Sequence, residues 1–477
     1  MVYDVAIIGA GVIGAMTARE LSRYRLKICM LERSNDVAAG ASRANSGIVH
    51  GGYDPEPGTL KAEMNIRGVE KLFRAAEELH VPCIRNGSMI CAFGAEEEPA
   101  VHELYERGLE NGVKDLRVLS GDEARELEPE LSDEVSLVLH VPTAGIICPY
   151  KLTIAAAGNA MDNGAELRRN FAVCEAKKDG DIFRLRAESG ETVEARFVVN
   201  CAGAYSDRVA ALFGDCDFTI IPRAGEYLLL DKAEGGRVRH TIFQVPSAAG
   251  KGILVSPTVD GNLLTGPTAA AVETPENTEI TPEGIAIVKS LSARSVPGVM
   301  FSKVITSFSG VRASEKDGDF IIRTSDRVPG LVHAAAIDSP GLTSCVAIAE
   351  RVTELLSGTG LVLEKNEDFN GNRPDTEAFR HMSDEEKDAF IRENPDYGRI
   401  ICRCEGISEG EIRDAVRRAP GARDVDSVKR RTRAGMGRCQ GGFCMPHVMR
   451  IIAEETGIPE EQVTKKGPGS HILTGRL

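Results

Sequence analysis

The sequence predicts a protein of mixed α/β and α+β class. We predict three parts, which are a discontinuous α/β domain, a mixed β-sheet domain inserted in it and a small helical module. Three observations support this prediction. An apolar strand, a glycine-rich turn and a helical segment open the chain, and similar strand–turn–helix patterns return twice. Short β-type runs punctuated by Gly and Pro lie between those returns. Four clustered cysteines lie near the end of the chain.

The opening element is a buried strand that leads into a helix. Val5 to Ile8 is a continuous apolar run, which is typical of a parallel strand covered on both faces. Gly9, Gly11 and Gly14 follow in G-x-G-x-x-G spacing, ahead of a helical periodicity. In this pattern the glycines make a tight turn, admit a pyrophosphate to the backbone and let the helix pack on the strand. We therefore predict a Rossmann-like dinucleotide fold with the phosphates at the helix N-terminus.

A second apolar strand strengthens this prediction. The run "KICMLER" ends in Glu32, eighteen residues after Gly14, where an acid is placed to bind ribose hydroxyls. We include the adjacent Arg33 among the cofactor-binding candidates. The glycines alone do not distinguish FAD from NAD.

The next stretch, "GASRANSGIVHGG", packs small and polar residues together. It resembles a segment of the FAD-dependent oxidoreductases of the D-amino-acid-oxidase and glycerol-3-phosphate-dehydrogenase superfamily. The resemblance implies FAD as cofactor, with this segment running past the pyrophosphate and the isoalloxazine. It also places His50 beside the flavin ring. The matching residues are Gly40, Ala41, Ser42, Asn45, Ser46 and Gly47.

The nucleotide fold returns twice further along the chain. The first return ends in the small-residue turn Asn200-Cys201-Ala202-Gly203-Ala204, and the second runs into Pro340-Gly341-Leu342-Thr343 and a helix. A helix N-terminus there can stabilise the negative charge of a reduced flavin. A strand–turn–helix crossover without a ligand is the alternative. The resemblance adds as cofactor-binding candidates Val173, Ala202, Gly203, Gly341, Leu342 and Thr343.

The resemblance also implies the chemistry, which is hydride transfer to flavin N5 from a C–H next to a hydroxyl or amine. Such a site needs a cation for the substrate anion and a base for the hydroxyl proton. Arg312 lies where the superfamily places a substrate-binding arginine, and a surface ion pair with Glu315 or Asp317 is the alternative. His50 is the candidate base, or else a hydrogen-bond partner of the flavin or backbone. Weaker pocket candidates, for which solvated or packing roles are the alternative, are Arg223, Glu226, Tyr227 and Lys251.

The clustered cysteines form the pairs Cys402-x-Cys404 and Cys439-x4-Cys444. Four thiolates suit zinc, but zinc ribbons usually use C-x2-C pairs. Glycines crowd the second pair and would let backbone N–H groups turn toward cluster sulfurs. The segment from Ile400 to about Glu455 closely resembles the bacterioferritin-associated-ferredoxin-like (BFD-like) 2Fe–2S domain, which is found on anaerobic glycerol-3-phosphate dehydrogenases and related enzymes. The resemblance implies a 2Fe–2S cluster held by these four cysteines.

The composition restricts the classes of partner. The net charge of −14 argues against general nucleic-acid binding. Within this acidic chain, the segment 399–450 holds 12 Lys/Arg and 6 Asp/Glu. Such a segment could dock an acidic electron-acceptor subunit, flavoprotein or quinone-linked, and a solvated basic face is the alternative. No apolar run reaches the roughly 20 residues of a membrane span, and Asp4 interrupts the opening run. We therefore expect a cytosolic protein with reduced thiols.

These patterns predict a division of the chain. The FAD-binding domain would comprise residues 1–85, 146–215 and 331–362, and the substrate domain residues 86–145 and 216–330. A polar linker would span residues 363–398, with a short helix capped by Ser383. Ser408, with Glu411 three residues on, would cap a helix that follows the first cysteine pair. The 2Fe–2S domain would cover residues 399–457, followed by a tail of residues 458–477.

The resemblance covers most of the chain and implies an enzyme similar to the catalytic subunit of glycerol-3-phosphate dehydrogenases. Such an enzyme oxidises sn-glycerol 3-phosphate to dihydroxyacetone phosphate and passes electrons from FAD through the cluster. One segment, "NSGIVHGGYDPEPGTLKAEMN", is closer to L-2-hydroxyglutarate oxidases and dehydrogenases. A 2-hydroxy acid is therefore the alternative substrate. A redox carrier without its own small-molecule substrate is the third interpretation, and an open pocket lined by Arg312 would favour the enzyme.

Overall fold

The structure is a computed structural model that describes residues 1–246, 252–316 and 318–475. Its helices are α1 (Val12–Leu21), α2 (Leu60–Glu78), α3 (Glu98–Glu110), α4 (Gly121–Leu127), α5 (Pro149–Asp162), α6 (Ser206–Leu212), α7 (Pro282–Ser295), α8 (Gly341–Gly358), α9 (Ala378–His381), α10 (Asp384–Glu393), α11 (Glu409–Arg417), α12 (Val425–Thr432) and α13 (Met445–Thr456). Its strands are β1 (Val2–Ile8), β2 (Ile28–Leu31), β3 (Ile48–Val49), β4 (Cys83–Ile84), β5 (Ser88–Phe93), β6 (Arg117–Ser120), β7 (Val135–Val141), β8 (Gly145–Ile147), β9 (Glu166–Arg168), β10 (Val173–Asp179), β11 (Ile182–Ala187), β12 (Thr192–Asn200), β13 (Ile220–Leu230), β14 (Thr241–Gln244), β15 (Leu254–Pro257), β16 (Leu263–Gly266), β17 (Ala270–Ala271), β18 (Val304–Glu315), β19 (Ile321–Thr324), β20 (Leu331–Ala335), β21 (Ile400–Cys402) and β22 (Ile407–Ser408).

The first large sheet has the predicted α/β character. Strand β1 pairs in parallel with β2 and β12, β2 pairs with β9, and β12 pairs with β20. Helix α1 packs against α5 and α8 beside this sheet. Because strands from distant parts of the chain alternate in one sheet, the fold is discontinuous, as the sequence predicts. Strand β19 also belongs here through its antiparallel pairing with β20, so this sheet includes residues 321–324, which lie before the expected boundary at 331.

The second large sheet is mixed and largely antiparallel, which also agrees with the prediction. It follows the order β17-β13-β16-β15-β14-β5-β7-β6, with β18 paired to β13. Only β14 and β5 run parallel among these described pairs. Strands β3, β8 and β4 form a small third sheet. It lies where the chain passes between the two large sheets.

The cysteine-bearing module is small and helical. Helices α11, α12 and α13 and the β21–β22 pair enclose a core that includes Ile407, Val428 and Ile451. Ser408 caps α11 in a capping box with Glu411, and Ser383 caps α10 in the same way, so both predicted N-caps are confirmed. Over the described ranges, no helix combines the length and the apolarity that crossing a membrane would require.

The segment 363–398, which we expected to be a polar linker, packs closely against α5. Arg373 is 5% exposed and donates from Nε to Asp162 at 2.8 Å. Glu377 is 6% exposed and accepts from Lys151 Nζ at 3.1 Å. A buried charge without a partner is costly, so these pairs tie the segment to the first sheet's helices. The segment therefore supports the helical module as well as connecting it.

Ion pairs fasten the helical module to both large sheets. Asp36, which follows β2, receives Arg430 at 2.6 Å and Arg431 at 2.7 Å from α12. On the second sheet, Asp260 receives Arg433 at 2.7 Å and Asp231 receives Arg438 at 2.6 Å. Much of the positive charge expected to form a basic face is therefore used within the chain.

The Asp36 contact gives the first prediction. Burial would raise the pKa of the Asp36 carboxyl, but the neighbouring Arg431 and Arg430 guanidiniums lower it to about 2. The stabilisation is thus present above the ordinary carboxyl pKa of about 3.9 and is lost as the pH falls toward 2. Asp36→Ala should lower the free energy of unfolding by about 3–5 kcal/mol, because two buried guanidiniums lose their counter-ion. Denaturant unfolding at neutral pH would measure this.

The matched control is Glu367→Gln, which removes an exposed pair with Lys365. It should change the free energy of unfolding by less than about 0.5 kcal/mol. If the two variants unfold alike, the Asp36 cluster does not stabilise the docked module.

Candidate functional site

A cavity of about 1430 Å³ is bordered by both large sheets. Its walls come from the glycine turn after β1, the segment 39–50, strands β13 and β18, and the segment that leads into α8. The position matches the end of the first sheet where a dinucleotide would bind, beside the N-terminus of α1.

The glycine turn brings backbone segments into direct contact. A Cβ on Gly9 would lie 2.4 Å from the carbonyl oxygen of Cys201, and Gly9 has a φ of +105°. A Cβ on Gly14 would lie 1.9 Å from the carbonyl oxygen of Gly9. Gly9 and Gly11 line the cavity, whereas Gly14 serves the packing of α1 on β1. This backbone surface, open to the cavity and free of side chains, fits the diphosphate of FAD.

Glu32 lies at the cavity edge and is held by backbone donors. Its carboxylate accepts from the N–H groups of Ala10 and Ser34, each at 2.9 Å. Burial raises the pKa of the Glu32 carboxyl, against these hydrogen bonds. The neighbouring Arg33 lines the cavity with its guanidinium 4.1 Å from the centre of the Tyr205 ring. Val173, Ala202 and Gly203 line the same end of the cavity.

The segment 40–50 is held against both sheets. Ser42 Oγ accepts from the N–H of Val12 at 2.9 Å, at the start of α1. Asn45 Oδ1 accepts from the N–H of Gly47 at 2.9 Å, and Ser46 Oγ lies 3.2 Å from Tyr227 Oη on β13. A Cβ on Gly47 would lie 2.5 Å from a carbonyl oxygen, so only glycine fits there. Ser42, Asn45, Ser46 and Gly47 all line the cavity.

The N-terminus of α8 closes the opposite wall. Gly341 and Leu342 line the cavity, and the first turn of α8 has no side-chain cap. Open N–H groups at a helix N-terminus favour negative charge. Thr343 does not line the cavity. Its Oγ1 accepts from the backbone N–H of His50 at 2.8 Å, so it positions that residue.

His50 is anchored through its backbone and reaches the cavity with its ring. Asn65 Nδ2 donates to the carbonyl oxygen of His50 at 2.9 Å, which complements the Thr343 contact. The ring Nε2 lies 3.3 Å from Ser339 Oγ, and the ring centre lies 6.0 Å from that of Phe243. A fixed backbone with a cavity-lining imidazole is suitable for proton transfer.

Arg312 and Arg223 lie side by side on neighbouring strands. They are directly opposite in the antiparallel β13–β18 register, and both line the cavity. Arg312 Nη1 is 3.5 Å from the Thr268 carbonyl oxygen, and among the described residues neither arginine has a carboxylate partner. The surface pair with Glu315 is therefore not formed, and Asp317 lies outside the described residues. Two adjacent guanidiniums that face a cavity form an anion site.

The remaining weak candidates have different roles. Glu226 is 7% exposed and accepts from Thr281 N at 2.9 Å and Thr281 Oγ1 at 3.0 Å, so it holds the start of α7. Tyr227 stacks on Phe308 with ring centres 4.7 Å apart while its hydroxyl reaches Ser46. Lys251 lies outside the described residues.

The four thiols of the helical module lie in two pairs. Cys404 Sγ is 3.6 Å from Cys439 Sγ, and the Cys444 thiol hydrogen-bonds to Cys402. Two sulfurs on one tetrahedral metal, at a metal–sulfur distance of about 2.3 Å, lie about 3.8 Å apart. In the described part of the chain, no three His, Cys, Asp or Glu side chains gather as a single metal ion would require. The two pairs together offer the four sulfur ligands that a 2Fe–2S cluster takes.

Backbone N–H groups point at these sulfurs. The pKa of Cys402 is lowered to about 6 by the Cys444 thiol and by the N–H groups of Gly435, Glu405 and Cys404, against burial. The pKa of Cys439 is lowered by the N–H of Phe443 and by those of Gly441 and Gly442. A Cβ on Gly437 would lie 2.2 Å from Cys404 Cβ. The glycines therefore leave room for the thiolates and supply donors to them.

Other cavity residues were not singled out from the sequence. Lys61 lines the cavity in a 2.6 Å pair with Asp338, and Arg43 lines it within the glycine-rich segment itself. Lys466, from the predicted tail, also lines it. Arg43 could have been noticed from its place between Ser42 and Asn45. No local pattern marks Lys466, because only the docking of the module brings it there.

Comparison with known proteins agrees with this geometry. The family model "FAD dependent oxidoreductase" matches residues 4–355, and the model "BFD-like [2Fe-2S] binding domain" matches residues 400–454. A glycerol 3-phosphate dehydrogenase of Caloramator mitchellensis is 43% identical over 99% of this chain and 98% of its own length. A mitochondrial L-2-hydroxyglutarate dehydrogenase of Nematostella vectensis is 28% identical over 74% of this chain and 90% of its own length.

Among solved structures, the FAD-bound, dithionite-reduced L-alpha-glycerophosphate oxidase of Mycoplasma pneumoniae is 32% identical. It superposes with a TM-score of 0.74 over 78% of this chain and 98% of its own. The strand order, the glycine turn and both family matches lead to one conclusion. The chain belongs to the FAD-dependent oxidoreductase family, uses FAD, and carries a BFD-like 2Fe–2S domain at its C-terminal end.

Proposed function

We propose that this protein is the catalytic subunit of a glycerol-3-phosphate dehydrogenase that oxidises sn-glycerol 3-phosphate to dihydroxyacetone phosphate. The pair of Arg223 and Arg312 is the observation that carries the proposal. A phosphate monoester dianion can accept hydrogen bonds from two guanidiniums at once. The full-length similarity to a glycerol 3-phosphate dehydrogenase supports the same substrate.

The cavity residues have two functions, which are substrate binding and proton transfer. Arg312 and Arg223 hold the phosphate, which leaves the alcohol end of the substrate toward His50. His50 accepts the hydroxyl proton at Nε2, while Thr343 and Asn65 keep its backbone in place. FAD, when bound, accepts the departing hydride at N5. The open N-terminus of α8 favours the negative charge that accompanies this step.

The cysteine pairs provide the route for electrons. Cys402, Cys404, Cys439 and Cys444 would hold the 2Fe–2S cluster. The cluster, when bound, accepts electrons one at a time. Cys404 is exposed, and Phe443, next to Cys444, is 84% exposed. An electron-acceptor subunit would dock on this face, because the other cysteine pair is buried.

The second candidate is a 2-hydroxy acid dehydrogenase. The sequence of the segment 45–65 and the similarity to L-2-hydroxyglutarate dehydrogenases favour it. A carrier without a substrate of its own is disfavoured by a large cavity in which Arg312, Arg223 and His50 meet.

The substrate prediction is tested by anaerobic bleaching of the flavin with each compound in turn. Glycerol 3-phosphate should bleach it rapidly and L-2-hydroxyglutarate slowly or not at all. Arg312→Ala and Arg223→Ala should each raise KM for glycerol 3-phosphate by about 10–100-fold, since each removes a charged hydrogen bond while FAD stays bound.

Arg184→Ala, at an exposed position of strand β11, is the control and should keep the original KM. Faster bleaching by L-2-hydroxyglutarate, with KM affected only by Arg312→Ala, would select the hydroxy acid.

The role of His50 as base is tested by His50→Asn. The rate of flavin reduction should fall by about 10²–10⁴-fold, because asparagine cannot accept the proton, with flavin content unchanged. Stopped-flow absorbance would measure the rate. His102→Asn, at an exposed position of α3, should react like the parent protein. An unchanged rate in His50→Asn would leave that residue only its structural contacts.

The cluster ligands are tested by Cys439→Ser. Substrate should still bleach the flavin, but reduction of cytochrome c, a protein too large to reach the cavity, should be lost. A dithionite titration should also require one electron fewer per chain. Cys216→Ser replaces an exposed cysteine outside the module and should change neither result. Zinc without acid-labile sulfide in the purified protein would contradict the assignment.

A further inference from the structure

Cations without carboxylate partners meet where the helical module borders the cavity. Arg43 and Lys466 both line it, one from the segment after β2 and the other from the chain after α13. Lys429, on α12, lies close enough to Arg43 for the two charges to interact. Neighbouring Arg430, Arg431 and Lys465 are ion-paired, but among the described residues no carboxylate pairs with Arg43, Lys429 or Lys466.

The chain around Lys466 is held in place by backbone contacts. The N–H groups of Val425 and Asp426 donate to the carbonyl oxygens of Thr464 and Lys465 at 3.1 and 2.9 Å. On the other side, a Cβ on Gly467 would lie 2.7 Å from Asn35 Oδ1, in the loop after β2. Lys465 Nζ lies 2.8 Å from Asp426 Oδ1, whereas Lys466 lines the cavity. The residue expected to lie in a tail thus becomes part of the cavity wall.

Neighbouring charges of both signs act on these cations. Burial and the charge of Arg430 lower the pKa of Arg43, whereas Asp426 and Asp424 raise it. Burial also lowers the pKa of Lys429, with Lys465, Arg430 and Arg43 adding to the effect and Asp426 opposing it. A bound phosphate would stabilise cations that have no carboxylate in ion-pair contact.

The position of Arg43 in the cavity indicates which phosphate group lies near it. Arg43 follows Ser42, whose hydroxyl is bonded to the first N–H of α1, where the glycine turn accommodates a diphosphate. The Arg223–Arg312 pair lies on strands β13 and β18, at the substrate end of the cavity. The two cation groups therefore serve different anions.

We propose that Lys466 and Arg43 bind the diphosphate of FAD, with Lys429 adding to the local positive charge. The segment that follows the 2Fe–2S domain thereby completes the FAD site. Binding of FAD and docking of the module then strengthen each other, since each presents groups that the other needs.

The test is FAD affinity of the full chain, stripped of flavin with its cluster retained and titrated with FAD by flavin fluorescence. Lys466→Ala should raise the Kd on the order of tenfold, because one charged contact to phosphate is lost. Arg43→Ala should act in the same direction. The Kd of the parent protein should rise more steeply with added NaCl than that of Lys466→Ala, since salt screens this contact.

Lys465→Ala is the matched control, because it changes the adjacent lysine of the same segment, which pairs with Asp426 and does not line the cavity. It should keep the parent Kd. In Lys466→Ala, the flavin-free unfolding temperature and the cluster absorbance should equal those of the parent. An unchanged Kd in Lys466→Ala, an equal loss in Lys465→Ala, or an unchanged salt dependence would each overturn the proposal.

Discussion

The segment 40–50 touches both large sheets at backbone distance, and the cavity depends on that contact. A Cβ on Gly310 of β18 would lie 1.8 Å from the carbonyl oxygen of Ala44, and one on Gly47 would lie 2.5 Å from that of Ile147. Without side chains at these points, the strand that carries Arg312 passes directly beside the loop that carries His50. The cation and the candidate base therefore face one cavity, although 261 residues of sequence lie between them.

The cluster site also depends on glycines that leave space for other atoms. Glycines beside the thiols leave room for sulfur and direct N–H groups at it, so the pairs Cys404–Cys439 and Cys402–Cys444 form without a third ligand nearby in the described residues. Hydrogen bonds to cluster sulfurs adjust the reduction potential. Cys404 is exposed and Cys439 is half-buried, whereas Cys402 and Cys444 are both buried in the module.

Ion pairs join the helical module to the two large sheets. Arg430, Arg431, Arg433 and Arg438 form ion pairs with acids of the two large sheets. Buried ion pairs contribute little net stability compared with apolar packing, but removing one partner is expensive. These ion pairs hold the module against both large sheets. An acidic partner therefore meets less free positive charge than the composition suggests.

The sequence by itself determined the local features of this protein. These features depend on residues that are near one another in the chain, so the sequence predicts them without a structure. They are the spacing of Gly9, Gly11 and Gly14, the acid at Glu32 and the two cysteine pairs. The predicted N-caps at Ser383 and Ser408 are present for the same reason.

Only the tertiary structure decided which distant residues meet. Arg223 lines the cavity beside Arg312 because the register of β13 and β18 places them opposite each other. Glu226, from the same strand, turned instead to the start of α7. Lys466 reached the cavity, and the segment predicted as a linker, 363–398, packed against α5, because the helical module docks on both sheets. Strand register and domain docking depend on the summed packing of many residues, and no short stretch of sequence records that sum.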